Sequence, residues 1–362
     1  MKHAEITGWG KCTPPAILTN NDLATFLDTS DEWISSRSGI RERRISHVNL
    51  SDMATVAAQH AIAGAGIAVG EVEMIILATA SPDTLVPSAA SRVQFLLGAK
   101  HAAVMDLNAA CTGFLYGLTL ARSLIRSGDY EKVLVIGADR LTWYLDWTLR
   151  DSAVLFGDGA GAAVIQASDE DVGITSATLG CDSGGNEILK APDFGTAMER
   201  FKGERGQIHI QFEGREIFKR AVVGMSRATR KALADADLQN EDLDLVIPHQ
   251  ANMRILEALA HKLGLPMEKV VVNIDKYGNT SAATIPIAMT EALEEGRIKP
   301  GDRILMAAFG AGLTWGAVTI RWGQRITPIA MSEASLPPCR QTALELLQEA
   351  ITNCRRFAEK PD

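Results

Sequence analysis

Short apolar runs alternate along the chain with longer segments of helical period. In the first half this pattern predicts helices over residues 54–67, 88–97 and 112–125, and strands over 74–78, 102–107 and 132–137. In the second half it predicts helices over 217–236, 252–263 and 282–293, and strands over 243–247, 270–274 and 303–307. Such alternation is typical of a parallel sheet covered by helices on both faces, so the predicted fold class is α/β.

The two halves repeat each other at an offset of about 170 residues. The strand positions that correspond are Met74 and Leu245, Val104 and Val271, and Leu134 and Ile304. This spacing predicts an internal duplication, with two similar halves facing each other across a pseudo-dyad. The alternative is a chance agreement, because any α/β protein alternates helices and strands.

The repeat and the composition together divide the chain into four segments. They are a first half (1–167), insertions and loops rich in Gly, Asp and Lys (168–214), a second half (215–323) and a tail (324–362). In the tail, the apolar residues Leu344, Leu347, Ile351 and Cys354 fall on one face of a helical pattern. We expect this helix to dock on the body; a partner-binding segment is the alternative.

The composition excludes several classes of protein. With 362 residues, 46% hydrophobic and 22% charged, the chain is neither disordered nor collagen-like. A formal net charge of −8 argues against a surface that binds nucleic acid or anionic lipid as a whole, so an acidic partner would need a local basic patch. We expect neither nucleic acid nor membrane as a partner.

The five cysteines are widely separated and none has metal-ligand spacing, so we expect no disulfide framework and no metal site. The N-terminal residues lack the pattern of a signal peptide, and no apolar run reaches the roughly 18 residues of a membrane span. These features predict a cytoplasmic protein with reduced thiols.

Cys111 follows a predicted strand and opens a predicted helix, in Asp106-Leu-Asn-Ala-Ala-Cys111-Thr-Gly113. Its sulfur would lie near unpaired N–H groups and the positive end of the helix dipole, where a thiol ionises more easily and becomes a nucleophile. Gly113 would let a substrate approach closely. The alternative is a small buried cysteine at a tight turn.

We expect His249 and Asn279 to lie close to Cys111 in the fold. His249 follows a central strand at the edge where ligand sites of open α/β sheets collect, although a lone histidine is often structural. Asn279, in Tyr277-Gly-Asn-Thr-Ser-Ala-Ala283, occupies in the second half the place of the Cys111 loop in the first. Taken alone, Asn-Thr-Ser before a helix is an ordinary N-cap.

Two glycine-rich runs cover residues 156–162 and 309–316. Neither has the spacing of a nucleotide-binding loop. The first predicts a turn where backbones pack closely. The second follows a strand at the edge that carries the candidate site, where small residues could expose a backbone N–H to an oxyanion.

Four motifs in order resemble the signature of the β-ketoacyl-acyl-carrier-protein synthase III family, which has a thiolase-like fold of five layers, αβαβα. They are Ala109-Ala-Cys-Thr-Gly-Phe114, Pro248-His-Gln-Ala-Asn252, Gly278-Asn-Thr-Ser-Ala282 and Phe309-Gly-Ala-Gly-Leu-Thr-Trp-Gly316. The resemblance runs from about Ile6 to Trp322 and leaves out the tail.

The resemblance implies a decarboxylative Claisen condensation carried out by Cys111, His249 and Asn279. Cys111 would take the acyl group of an acyl-coenzyme A primer, and malonyl on acyl carrier protein would then lose CO₂ and attack that group. His249 and Asn279 would stabilise the negative charge that builds on the malonyl thioester oxygen during decarboxylation. The backbone N–H groups of Cys111 and Ala311 would stabilise the other oxyanion. Coenzyme A thioester would be the substrate, with no cofactor.

Further positions match the family's binding residues. The resemblance implies coenzyme A contacts at Thr29, Trp33, Arg37, Arg150, Gly214, Phe218, Ala251 and Asn252. It implies a basic patch for the acidic carrier protein at Lys219, Arg254 and Lys262. Without the resemblance, these charges would be ordinary solvated helix faces.

Two positions depart from the family pattern. Val86 stands where acetyl-primed members carry a bulky aromatic that closes the acyl pocket across a homodimer interface, so we expect a longer primer. Arg215 replaces the family's usual Asn near the pantetheine. The alternatives are a ketosynthase of secondary metabolism that uses a longer primer or malonyl-coenzyme A, a papain-like Cys-His-Asn hydrolase, and a non-catalytic acyl-binding protein.

Overall fold

The computed structural model describes residues 2–191 and 209–358. Its strands are β1 (His3–Cys12), β2 (Ala16–Thr19), β3 (Glu42–Ile45), β4 (Met74–Ala78), β5 (Ala103–Leu107), β6 (Lys132–Arg140), β7 (Asp158–Ser168), β8 (Gly173–Cys181), β9 (Leu189–Lys190), β10 (Gln211–Phe212), β11 (Leu245–Pro248), β12 (Arg303–Gly310) and β13 (Thr314–Arg321). Its helices are α1 (Asn20–Ala24), α2 (Asp31–Ser38), α3 (Leu50–Ala65), α4 (Ala89–Leu97), α5 (Gly113–Ser127), α6 (Arg150–Ala153), α7 (Gly214–Asp235), α8 (Met253–Leu263), α9 (Ile274–Tyr277), α10 (Thr284–Glu294) and α11 (Ala343–Ala358).

Two mixed sheets share one strand order. The first runs β1-β7-β6-β4-β5 and the second β8-β13-β12-β11, with β4 parallel to β5 and β6, and β11 parallel to β12. In each sheet the remaining two strands pair antiparallel at one side. Counted along this order, β1 corresponds to β8, β7 to β13, β6 to β12 and β4 to β11. The internal duplication is therefore present in the structure.

Three layers of helix cover these sheets. Helices α5 and α10 lie between the sheets, in a cluster that includes Phe114, Leu118, Ile285 and Met289. Helices α3 and α4 cover the outer face of the first sheet, and α7 and α8 that of the second. Each helix buries the apolar stripe that its period predicts. The five-layered αβαβα arrangement expected from the resemblance is confirmed.

The predicted strand over residues 270–274 is wrong. The structure has a single bridge there, between Val246 and Val270, and the chain turns into α9 at Ile274. The side chain of Gln250 explains the early end: its Nε2 donates to the carbonyl of Val271 at 3.0 Å, and its Oε1 accepts from the N–H of Asn273 at 3.1 Å. A carboxamide thus takes the hydrogen bonds that a neighbouring strand would make.

The segment 168–214, expected to hold insertions and loops, needs a correction. Gly173–Cys181 forms β8, which pairs antiparallel with β13 as the edge strand of the second sheet. Its alternation of small, polar and apolar residues gives a weak strand signal. Residues 192–208 of this segment lie outside the described residues.

The tail forms a docked helix, α11. Its side chains Ala343, Leu347 and Ile351 are buried in one cluster with Leu23 and Trp147. Upstream of the helix, the carbonyls of Ala334 and Pro337 contact ring nitrogens of His60 and His47. Within residues 2–191 and 209–358, no helix is long and apolar enough to cross a membrane.

Candidate active site

Cys111 lies in a one-turn 3₁₀ helix, Ala110–Thr112, between β5 and α5; we call it the Cys111 turn. Its first residue, Ala110, has a φ of 47°, a conformation uncommon outside glycine. The hydroxyls of Thr112 and Thr314 lie 2.9 Å apart, and Thr314 also donates to the carbonyl of Ala109 at 3.0 Å. The turn is thus tied to the start of β13, which holds the buried sulfur at the N-terminus of α5.

Close packing around this turn depends on two glycines. A Cβ on Gly310 would lie 2.8 Å from the backbone nitrogen of Cys111. A Cβ on Gly113 would lie 2.9 Å from Cβ of Ala78 in β4. Gly113 therefore packs α5 against the first sheet and does not open the site to a substrate, which corrects the expectation from sequence.

The glycine-rich run 156–162 packs closely, as predicted, but most of it is strand β7 rather than a turn. A Cβ on Gly157 would lie 2.4 Å from the carbonyl oxygen of Tyr277. The N–H of Gly157 donates to the carbonyl of Asn279 at 3.1 Å, and the N–H of Asn279 donates to that of Leu155 at 2.9 Å. This pairing fixes the backbone of Asn279.

The side chain of Asn279 is oriented by the turn that follows it. This turn, Ser281–Ala283, is a second 3₁₀ helix, which we call the Ser281 turn. The N–H of Ser281 donates to Oδ1 of Asn279 at 2.8 Å. Because Oδ1 is engaged, Nδ2 is the end of the carboxamide that can donate to a substrate.

His249 directly follows β11, which is an edge strand of the second sheet and not the central strand expected from sequence. Its N–H donates to the carbonyl of Ala307 at 2.8 Å. Its Nδ1 lies 2.7 Å from the hydroxyl of Thr284, the first residue of α10. Burial lowers the pKa of His249 to about 3. The imidazole is therefore neutral at physiological pH, and Nε2 carries a proton whenever Thr284 donates to Nδ1.

One hydroxyl group and one carboxyl group act on the Cys111 thiol. The hydroxyl of Ser281 donates to Sγ of Cys111 at 3.5 Å. Burial raises the pKa of the Cys111 thiol to about 12, the Ser281 hydrogen bond lowers it, and the charge of buried Asp139 raises it. Asp139 accepts from the N–H of Ala80 at 2.8 Å and from that of Ala282 at 3.2 Å. The resting thiol is therefore protonated.

One cavity of about 870 Å³ joins these groups. Cys111, His249, Asn279 and Ala311 all line it, together with Ser281 and Phe309. From the predicted coenzyme and carrier contacts it adds Arg37, Gly214, Phe218, Ala251, Asn252 and Arg254. The structure thus brings the predicted catalytic residues to one space, although they come from both halves of the chain.

The charged residues that line the cavity are all cationic. Arg37, Lys190, Arg215 and Arg254 line it, and no carboxylate does so among the described residues. Arg215, which departs from the family pattern, therefore adds a cation to the cavity wall. Such a wall favours a substrate that carries phosphate groups.

Trp33 lies beside this cavity, in a smaller one of about 240 Å³ that shares Arg37, Gly214 and Asn252 with it. The guanidinium of Arg37 lies 4.5 Å from the centroid of the Trp33 ring, and that of Arg150 lies 4.3 Å from it. Arg150 also donates to the carbonyl of Asp28 at 2.9 Å. An aromatic ligand between Trp33 and Arg150 would therefore have to displace the guanidinium.

Five predicted residues line neither of these two cavities: Arg150, described above, and Thr29, Val86, Lys219 and Lys262. Thr29 precedes α2, and its buried hydroxyl has no hydrogen-bond partner among the described residues. Val86 is 88% exposed, whereas its neighbour Leu85 lines the cavity. Lys219 lies on α7 and lines a separate cavity with Arg220 and Arg227, and Lys262 is exposed near the end of α8.

Sequence reasoning missed three residues that act on the catalytic candidates: Ser281 and Thr284 by hydrogen bonds, and Asp139 by its charge. Ser281 lies in the Asn279 motif and Thr284 lies two residues after it, so their position next to Asn279 was a signal for both. Asp139, at the end of β6, had no signal of its own. Within the described parts of the chain, no group of His, Cys, Asp or Glu is arranged to hold a metal ion.

Comparison with known proteins gives two family matches. Residues 105–183 match the 3-oxoacyl-[acyl-carrier-protein] synthase III family, and residues 233–322 match its C-terminal part. A β-ketoacyl-[acyl-carrier-protein] synthase III 2 of Vibrio cholerae is 61% identical over 354 residues, which cover 98% of both chains. The chain belongs to this family. It is therefore a condensing enzyme of the acyltransferase class, as the four motifs predicted.

Other members of the family match a shorter part of the chain. A β-ketoacyl-[acyl-carrier-protein] synthase III of Roseiflexus is 45% identical over 88% of this chain and 98% of its own. The crystal structure of the 3-oxoacyl-[acyl-carrier-protein] synthase III of Aquifex aeolicus superposes with a TM-score of 0.83 at 47% identity, over 88% of this chain and 100% of its own. The Vibrio cholerae relative matches nearly the whole chain and these two do not, so the family fold is complete without about a tenth of this chain.

Proposed function

We propose that this protein condenses an acyl-coenzyme A primer with malonyl-acyl carrier protein and so starts fatty-acid synthesis. The observation that carries the proposal is the single cavity shared by Cys111, His249, Asn279 and Ala311. It has a nucleophile, two side-chain donors and backbone N–H groups, which a two-step condensation requires. Family membership agrees with this chemistry.

In the first step, Cys111 attacks the primer thioester. A bond forms between Sγ and the acyl carbon, and the bond from that carbon to the sulfur of coenzyme A breaks. Coenzyme A leaves as its thiol, with the proton that Cys111 gives up. The N–H groups of Cys111 and Ala311 stabilise the oxyanion of the tetrahedral intermediate.

In the second step, malonyl thioester loses CO₂ and becomes an enolate. Nε2 of His249 and Nδ2 of Asn279 donate to the enolate oxygen, and each donor of this kind contributes about 3 kcal/mol. The enolate carbon attacks the acyl group, a carbon–carbon bond forms, and Cys111 leaves as thiolate. A neutral His249 suits this role, since it donates without needing a proton from solvent.

The coenzyme would lie along the two adjoining cavities, with its nucleotide at Trp33, Arg37 and Arg150 and its thioester at Cys111. Gly214, Phe218, Ala251 and Asn252 would line the pantetheine path, as the resemblance implies. Thr29 lies off this path, so its coenzyme contact rests on the resemblance alone. The substrate supplies the reactive thioester, and we propose no separate cofactor.

The acidic carrier protein would dock on Lys219, Arg254 and Lys262, of which the last two lie about 12 Å apart along α8. We further propose a cytoplasmic homodimer. In that dimer the exposed Val86 would close the acyl pocket of the partner, and its small side chain would admit a primer longer than acetyl.

Mass spectrometry tests the first step. Mixing the protein with acyl-coenzyme A should add one acyl group, and Cys111→Ala should abolish the adduct; absence of any adduct on the parent protein would overturn the proposal. Extension of malonyl-acyl carrier protein, compared with malonyl-coenzyme A, separates fatty-acid initiation from secondary metabolism. Equal rates with acetyl- and octanoyl-coenzyme A, or a preference for acetyl, would contradict the longer primer.

A further inference from the structure

Ser281 contacts each of the three catalytic candidates, directly or through one residue. Its hydroxyl donates to Sγ of Cys111 at 3.5 Å, and its N–H donates to Oδ1 of Asn279 at 2.8 Å. Its carbonyl lies 3.1 Å from the hydroxyl of Thr284, which in turn contacts Nδ1 of His249. Ser281 is buried and lines the cavity.

The backbone of Ser281 has an unusual conformation, with a φ of 52°. Residues other than glycine rarely adopt this region, and such strain concentrates at functional sites. The duplication supplies a reference: Ala110 occupies the equivalent place in the Cys111 turn with a φ of 47°. Since alanine supports the same turn there, the shape of the backbone does not require the hydroxyl of Ser281.

The groups around Cys111 indicate a function for the hydroxyl of Ser281. Asp139 is a buried carboxyl whose charge acts on the thiol, and the Ser281 side chain also hydrogen-bonds to it. His249 and Tyr144 line the same cavity as Cys111. Burial and the charge of Asp139 both raise the pKa of Cys111, and His249 is neutral, so neither residue stabilises a thiolate. The hydrogen bond from Ser281 lowers the pKa of Cys111.

We propose that Ser281 is a catalytic residue whose hydroxyl stabilises the Cys111 thiolate, while its backbone N–H positions Asn279. The inference rests on the proposed function, in which Cys111 is the nucleophile and leaving group. The two roles are separable, because only the first needs the side chain. Replacement of Ser281 by alanine should therefore impair reactions of Cys111 and leave the orientation of Asn279 intact.

Alkylation by iodoacetamide measures thiolate reactivity without any acyl thioester. We expect Ser281→Ala to alkylate Cys111 roughly tenfold more slowly at pH 8 and to move the pH profile to higher pH, because a hydrogen bond to a charged group is lost. Decarboxylation of malonyl thioester should stay within a fewfold of the parent rate. Ser176→Ala, which removes a buried and hydrogen-bonded serine that does not line the cavity, should leave the profile unchanged.

A pH profile of Ser281→Ala that superimposes on the parent profile would overturn the inference, as would equal losses of alkylation and decarboxylation. If the alanine variant does not fold, Ser281→Gly makes the same test, because glycine adopts a positive φ freely. Failure of the proposed function has a different signature: the parent protein would then form no acyl adduct, whatever the alkylation profile of the variants.

Discussion

The hydroxyl oxygen of Thr284 lies 2.7 Å from Nδ1 of His249. This hydroxyl has one proton, which it can donate either to Nδ1 or to the carbonyl of Ser281 at 3.1 Å. Donation to Nδ1 fixes the imidazole tautomer that has its proton on Nε2, the nitrogen that faces the substrate in the proposed mechanism. A threonine at the start of α10 therefore controls which ring nitrogen can donate.

Thr284→Val should slow malonyl decarboxylation by roughly tenfold or more, because it removes this hydrogen bond from a buried imidazole and keeps the side-chain shape. Steady-state release of CO₂ measures the effect. Thr290→Val is the matched control, since Thr290 is buried on the same helix and bonds only to the carbonyl of Pro286 among the described residues. Equal rates for Thr284→Val and the parent would show that the hydroxyl does not set the tautomer.

His249→Ala and Asn279→Ala should retain acylation of Cys111 and lose decarboxylation by about a hundredfold or more each, since each removes one donor to the enolate. Acylation is followed by the mass of the adduct, and decarboxylation by release of CO₂. Parent rates of decarboxylation in both variants would show that the assigned roles are wrong.

Gly310→Ala should reduce acylation of Cys111 by roughly a hundredfold, because the new Cβ would lie 2.8 Å from the nitrogen of Cys111 and displace the nucleophile. The backbone at Gly310, with a φ of −158°, accepts alanine without strain of its own. Gly70→Ala serves as the control, because no atom lies within 4 Å of its added Cβ. Unchanged acylation in Gly310→Ala would mean that β12 yields to the methyl group.

Acid should destabilise the protein through His249. Its pKa is about 3 in the folded protein, lowered by burial from 6.5, so between these values the unfolded chain takes up a proton that the folded chain excludes. The free energy of unfolding should therefore fall as the pH drops from 6.5 towards 3. Denaturant titrations of His249→Gln should show a slope smaller by up to about 1.4 kcal/mol per pH unit. Parallel slopes for variant and parent would contradict a buried neutral imidazole.

Local pattern predicted most of the fold, because buried strands and amphipathic helices are encoded by residues close in sequence. The exceptions depend on distant partners. Residues 270–274 have the composition of a strand, but Gln250 takes their hydrogen bonds. Strand β8 has a weak pattern of its own and becomes a strand by pairing with β13, more than 130 residues later.

The candidate site was predicted through its motifs, whereas the contacts that orient it were not. Cys111, His249 and Asn279 lie in recognisable loops at corresponding edges of the duplicated halves. Asp139 and Thr284 act through hydrogen bonds across the pseudo-dyad or between neighbouring elements, and no sequence period encodes such a bond. The proposed nucleotide site shows the same limit: the resemblance implies coenzyme contacts at Trp33 and Arg150, but their direct stacking is a property of the folded chain.

The position of α11 has a consequence for biosynthesis. This helix is translated after every strand of both sheets, and yet its side chains Leu347 and Ile351 complete a cluster with Leu23 and Trp147 near the start and middle of the chain. Until α11 leaves the ribosome, those early apolar side chains lack their cover and are available to chaperones or to aggregation. A message truncated after β13 would encode Cys111, His249 and Asn279 but leave this cluster without the side chains of α11.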